Sequence, residues 1–264
     1  MLFRSTNGLL DLNNFVEGIG SLDMTGGAAD SGTSSLVLFG GGVTTHSSGF
    51  QAGISGSLNL GGAVRTFDVA SGTAAPDLLV SAVISNGGVT QTGGGTLYFS
   101  GANTYSGLTT ISNGLIEVVN ATGLGTTNAG TVLNGGDLYI ISVTVVNEGL
   151  TNNGSSANLF ESSGVCGWSG NITMNAPLDL VVFGTSLDLS GVISGSGSVV
   201  KSQSGTLTYS GGSANTYTNT TTVSSGTLQL SKTSVNGTIV GDLTISGGGG
   251  GDTVQLMADR KSVV

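Results

Sequence analysis

The sequence predicts an all-β protein, a right-handed parallel β-helix of short strands joined by tight turns. Three observations carry that expectation. First, 48 of the 264 residues are Gly, 38% are hydrophobic and only 8% are charged, so the Lys, Glu and Arg that clothe the polar face of an amphipathic helix are scarce. Second, a long segment occurs twice. Third, short apolar–polar alternations recur between Gly-Gly, Asn-Gly and Ser-Gly pairs, which is the pattern of half-buried strands punctuated by turns.

The duplicated segment reads GTLYFSGANTYSGLTTISNGLIEV over residues 95–118 and GTLTYSGGSANTYTNTTTVSSGTLQL over 205–230, the second copy with two extra residues before its Asn-Thr-Tyr. Related lead-ins precede both, at Val83–Gly88 and Val192–Gly197, with a fainter echo at Gly53–Gly56. The alternating pieces include Leu58-Asn59-Leu60, Thr96–Phe99, Leu115–Val118, Leu187-Asp188-Leu189 and Leu228-Gln229-Leu230. Successive side chains on a strand point to opposite faces, so Leu, Ile and Val are expected inward and Asn, Asp, Glu and Gln outward. At roughly 20 residues per coil the chain would make about 13 coils. One continuous β-helix over residues 1–264 is expected, with motif copies at about 80–120 and 187–232 and a Gly-rich loop and frayed or truncated end over 246–264.

The net charge is −9, and no basic stripe follows the chain, so nucleic acid is not an expected partner. Met1–Phe15 holds no continuous apolar run of the kind a signal peptide needs. No 18-residue apolar run occurs either, so no membrane insertion of this segment is expected. The chain reads as a fragment whose targeting and anchoring parts lie elsewhere. Its single cysteine, Cys166, has no internal partner for a disulfide, which accords with export of a repetitive protein through an oxidising compartment.

Gly95-Thr96-Leu97, Ser100-Gly101, Asn103-Thr104-Tyr105, Thr109-Thr110-Ile111 and Gly114 recur as Gly205-Thr206-Leu207, Ser210-Gly211, Asn215-Thr216-Tyr217, Thr221-Thr222-Val223 and Gly226-Thr227-Leu228. This pattern resembles the autotransporter-associated β-strand repeat, also called the passenger-associated transport repeat. The resemblance implies a parallel β-helix carried across an outer membrane to the cell surface or the medium, with repeats that assist folding and hold no catalytic residues. It also implies a translocator barrel and other passenger modules outside this sequence.

Parallel β-helices also serve polysaccharide lyases and glycoside hydrolases, which need calcium-binding carboxylates beside a base or two facing carboxylates. Arg4, Arg65, Lys201, Lys232, Arg260 and Lys261 are scattered and have no acidic cluster beside them. Asp179 and Asp188 stand in Leu-Asp-Leu triplets as outward strand charges. His46, the only histidine, lies in a polar turn without the further ligands of a metal site or triad. Cys166 beside Trp168 reads as a small buried hydrophobe. Gly247–Val254 fits one calcium-binding nonapeptide of the roll type, but one copy cannot close a site held between successive turns, so a flexible loop is expected. Sequons at Asn120, Asn153, Asn171, Asn219 and Asn236 follow from composition.

No catalytic, cofactor or metal residue is therefore assigned, and no enzyme is expected. The leading expectation is a monomeric structural stalk or passenger segment that supports surface display or adhesion, with a host-surface or glycan ligand. A carbohydrate-binding or carbohydrate-cleaving β-helix would instead show a groove of Trp, Tyr and carboxylates. A surface- or ice-binding solenoid would show outward threonine at every coil, and Thr109-Thr110 and Thr220–Thr222 raise that idea. Thr is also simply a good strand residue.

Overall fold

The computed structural model describes residues 2–6, 8–234, 237–247 and 251–257. Among these, regular structure is strand alone, and every strand pairing is parallel. The strands wind a β-solenoid of about 11 turns. That is fewer than the 13 expected, because turns are not uniform: Ile84 to Asn103 takes 19 residues, whereas Thr227 to Thr253 takes 26. Two compact units are distinguished, Met1–Leu138 and Tyr139–Val264.

In the first unit the middle face stacks Leu22, Val43, Phe67, Gln91, Ile111 and Leu133 in one inward row. The next face stacks Ala29, Ile54, Val80, Phe99 and Val118. Phe67 and Phe99 meet edge to face across the interior, centroids 6.4 Å apart, the geometry that aromatic quadrupoles favour. The inward members of both rows are almost wholly buried, and each aliphatic side chain removed from water contributes about 1.5–3 kcal/mol. One turn cannot bury its inward face alone, so stability comes from stacking.

In the second unit Leu159, Leu180, Lys201 and Val223 form one inward row, and Cys166, Leu187, Leu207 and Leu228 form another. Trp168, Leu189, Tyr209 and Leu230 run beside the latter. A third face is built of Leu150–Asn152, Ile172–Met174 and Ile193–Gly195. The strands Thr96–Phe99, Leu115–Val118, Ser186–Leu189, Thr206–Tyr209 and Thr227–Leu230 all show the alternation that the sequence predicts, with every second residue buried.

The turns ahead of the last strand of each repeat need glycine. Gly114 and Gly226 have φ of 67° and 76°, the left-handed region in which a Cβ is strained. A Cβ at Gly114 would also collide with the carbonyl oxygen of Gly93, and one at Gly226 with that of Gln203.

Candidate functional site

The two copies of the repeat build the same buried corner. Asn103 stands next to Ile84, which ends the row of Leu36 and Leu58. Its Oδ1 accepts the Ile84 N–H of the turn before at 2.9 Å, and its Nδ2 donates to the Gly123 carbonyl of the turn after at 2.6 Å. Asn215 does the same, with Ile193 N–H at 2.9 Å and the Thr238 carbonyl at 2.8 Å. One side chain thus replaces a missing rung of the backbone ladder and satisfies groups on both neighbouring turns, which burial would otherwise leave costly. Two residues on, the Tyr105 hydroxyl meets Thr109 Oγ1 at 2.7 Å, and Tyr217 meets Thr221 Oγ1 at the same distance. These groups are all but fully buried.

Polar groups also replace aliphatic ones in the inward rows. Gln91 donates from Nε2 to the Gly93 and Gly95 carbonyls, both at 3.2 Å. Lys201 holds the aligned position in the second copy, four residues before its Gly-Thr-Leu. Its ammonium donates to the carbonyls of Ser202, Gln203 and Ser225 at 2.9, 2.6 and 2.9 Å. Burial pulls its pKa down to about 8, against which the charge of Asp252 acts weakly. Arg65 is caged likewise, donating to the Leu60 and Leu38 carbonyls at 2.7 Å each and to Gly40. Lys232 is buried too and donates to the Gly191 carbonyl at 2.8 Å. Burial lowers its pKa, opposed by Asp188. A ring of main-chain carbonyls can hold a cation without a carboxylate, and here the side chains themselves fill those rings.

Two stretches, residues 89–118 and 199–230, match the passenger-associated-transport-repeat family. Both lie within the expected copies and contain the Asn, Tyr and Thr groups just described. The chain carries two passenger-associated transport repeats. It is also 29% identical over 136 residues to the "Adhesin BmaC autotransporter" of Brucella suis biovar 1 (strain 1330), an alignment that covers 52% of this chain and 3% of that protein. The chain thus spans a small fraction of the length of that relative. No solved structure matches it.

Outside the transport repeats, the residues raised by sequence do not converge. The Nε2 of His46, which is exposed, lies 2.7 Å from Asp23 Oδ1, a surface contact between adjacent turns. Among the described residues no three His, Cys, Asp or Glu side chains form a group able to hold a metal ion. Asp179 and Asp188 occupy outward rows. Cys166 and Trp168 are both buried. Burial pushes the Cys166 thiol up from its ordinary pKa, the opposite of an activated nucleophile. Of the candidate loop Gly247–Val254, Gly248–Gly250 lie outside the described residues. Asp252 accepts the Gly226 N–H at 3.0 Å, and Thr253–Leu256 pairs with Thr227–Leu230. Asn171 accepts the Val192 N–H, Asn120 that of Thr122, Asn153 meets Asn175, and Asn219 bonds to Ser196. Asn236, Arg260 and Lys261 lie outside the described residues, as does the side chain of Arg4.

The outward placement expected of polar residues holds for Asn59, Glu117, Asp188 and Gln229 in the alternating strands but does not extend to the whole chain. Asn103, Asn152, Asn215, Gln91, Glu161 and Lys201 all point inward and are buried, because corners and turn ends leave main-chain groups that only a polar side chain can pair. The threonines divide similarly. Thr109 and Thr221 face in, while Thr110 and Thr222 face out. The outward row Thr66, Thr90, Thr110 continues as Val132.

Comparison of the repeats yields a prediction. Tyr209 is fully buried and its hydroxyl has no hydrogen bond of good geometry, the Tyr217 hydroxyl being the polar group beside it, whereas the aligned residue of the first repeat is Phe99. Tyr209→Phe is expected to leave stability within about 1 kcal/mol of wild type, since no well-formed hydrogen bond is lost with the hydroxyl. Denaturant titration checks this. A loss well above that figure would mean the hydroxyl is paired.

Proposed function

We propose that this chain is a passenger segment that acts at the cell surface or in the medium as a structural support for display and adhesion, without catalysis of its own. The observation that carries this reading is that the Asn, Tyr and Thr side chains shared by the two repeats at 103/215, 105/217 and 109/221 are buried and spent on hydrogen bonds inside the coil, the Asn pair joining one turn to the next. Those side chains are not free to meet a substrate, so ligand contact belongs to the outward rows. The relative named as an autotransporter adhesin supports the adhesive role. Among the described residues no helix is long and apolar enough to cross a membrane, and a translocator barrel is proposed as a partner in the longer protein.

A glycan ligand has one observation in its favour. On one outward face Tyr139 and Phe160 lie 4.1 Å apart between ring centroids, and Phe160 and Phe183 6.2 Å apart at 7°. Aromatic rows of this kind offer apolar area with little entropy to lose on binding. The test is display of the chain on non-adherent bacterial cells through a heterologous barrel, scored for attachment to epithelial cells and for binding to a glycan array. Attachment several-fold above the empty barrel is the expected result. Full display with attachment at background would overturn adhesion by this segment. Array binding lost in Phe160→Ala would place the glycan on the aromatic row.

A further inference from the structure

Glu161 is an inward carboxyl with little to hold it. It lies on the strand Asn158–Ser163 beside Leu159, is fully buried, and accepts one hydrogen bond, from Gly184 N–H to Oε2 at 2.7 Å. Its Oε1 has no partner. Lys201 and Arg65, by contrast, each meet three carbonyls.

Among the described residues no positive charge is placed to offset its ionisation. From the strand Val165–Trp168 the titratable group beside it is Cys166, whose Sγ points to the Ile140 and Ser163 carbonyls at 3.4 and 3.6 Å. On the paired strand Leu178–Val182 the one charged residue, Asp179, is on the outward row. Tyr139, on the strand below, is outward as well. Lys201 belongs to the turn beyond and is spent on its own carbonyls. Burial raises the Glu161 pKa, and the Gly184 bond only partly opposes this. A carboxyl without a counter-ion in such surroundings is stable as the neutral acid and costly as the anion.

We propose that Glu161 is an acid-closed latch: its protonated carboxyl keeps the turn between Asn158 and Gly184 shut over Cys166, and ionisation loosens that turn and admits solvent to the thiol. The sign follows from linkage. A raised folded pKa means that the stabilisation is fully present below the carboxyl's unfolded pKa and is lost as pH rises through the folded value. The turn is therefore tightest in acid and opens towards neutrality, while the stacked rows around it stay folded.

Cys166 is the chain's only cysteine and reports the opening directly. Pulsed labelling with a thiol reagent, with each rate divided by that of the urea-unfolded chain at the same pH, removes the thiol's own ionisation from the comparison. Wild-type protection is expected to fall several-fold as pH rises from about 4.5 to about 7.5, because the raised carboxyl pKa removes the stabilisation over that rise. In Glu161→Gln, which cannot ionise, protection should stay flat. A pH-independent wild type, or an equal fall in Glu161→Gln, overturns the proposal. Amide exchange at Gly184 in the wild type, corrected for the intrinsic pH dependence of exchange, is the second measurement. It must lose protection over the same window, and constant protection there also overturns the latch.

Discussion

Replacing Asn215 by Ala is expected to lower the stability of the second unit by about 2–5 kcal/mol, because it leaves the Ile193 N–H and the Thr238 carbonyl buried without partners at roughly 1–3 kcal/mol each. Both bonds run between turns, 22 and 23 residues away in sequence. The loss therefore falls on stacking and not on the local turn. In a repeat architecture such a lesion uncouples neighbours before it unfolds the whole, so the readout is residue-level hydrogen exchange together with a thermal scan. Exchange at Ile193 should accelerate at least tenfold. Thr216→Ala, one residue away on the exposed side of the same corner, should stay within about 0.5 kcal/mol of wild type. Asn103→Ala is the matching test in the first unit, where the partners are Ile84 and Gly123. If Asn215→Ala were as mild as Thr216→Ala, the clip would be ornamental and the shared Asn-Thr-Tyr would need another explanation.

That clip also marks where sequence stopped being informative. The Leu, Ile and Val rows were legible because strand geometry has a period of two and the alternation is visible residue by residue. Leu187, Leu189, Leu228 and Leu230 occupy the buried places that the pattern assigns them. The duplication was legible too, and the family match falls on it. What could not be read was the direction of the polar residues. Asn59 and Asn103 are the same residue type in similar Gly-rich company. Asn59 sits between two buried leucines, with Oδ1 accepting from Gly61 N–H and Asn86 Nδ2, while Asn103 is inside. The difference lies in whether the backbone of the adjoining turns has run out of partners at that height, which is a property of the stack. One signal was available: Asn103 and Asn215 each stand two residues before a Tyr and six before a Thr that later proved to be hydrogen-bonded to one another. Outward residues are under no pressure to keep such spacing when two residues are inserted just ahead of them.

Function was legible only as far as the repeats reach. The scattered Arg and Lys were read against the need for an acidic cluster beside them, and Arg65 and Lys201 need none. The reason is that carbonyls hold them in the interior. A cation bound by neutral oxygens leaves no trace in a pattern of charges, so its position could be known only from the folded chain.

Lys201 is where this matters most for stability. An ammonium in the interior loses hydration worth several kcal/mol, and charge-assisted bonds of about 1.5–3 kcal/mol each to three carbonyls return it. The near balance means that the effect of a substitution depends on what is left behind. Lys201→Met keeps the volume but leaves the Ser202, Gln203 and Ser225 carbonyls without that donor. A loss of about 2–4 kcal/mol is expected from those unpaired groups. Lys201→Gln should cost less than half as much, since Gln91 at the aligned place serves two carbonyls in the first repeat. The pH dependence separates charge from shape. With its pKa pulled down to about 8 by burial, Lys201 holds its proton less tightly folded than unfolded, where an ordinary lysine titrates near 10.4. Protonation is thus an unfavourable contribution to folding that is complete below about pH 8 and relieved as pH rises towards the unfolded value. Relative to Lys201→Gln, the wild type should gain stability over that window by no more than about 1.4 kcal/mol per pH unit. Urea titrations of the two proteins at matched pH give the difference. A difference that is constant or falls with pH would show that the amine is not desolvated in the interior.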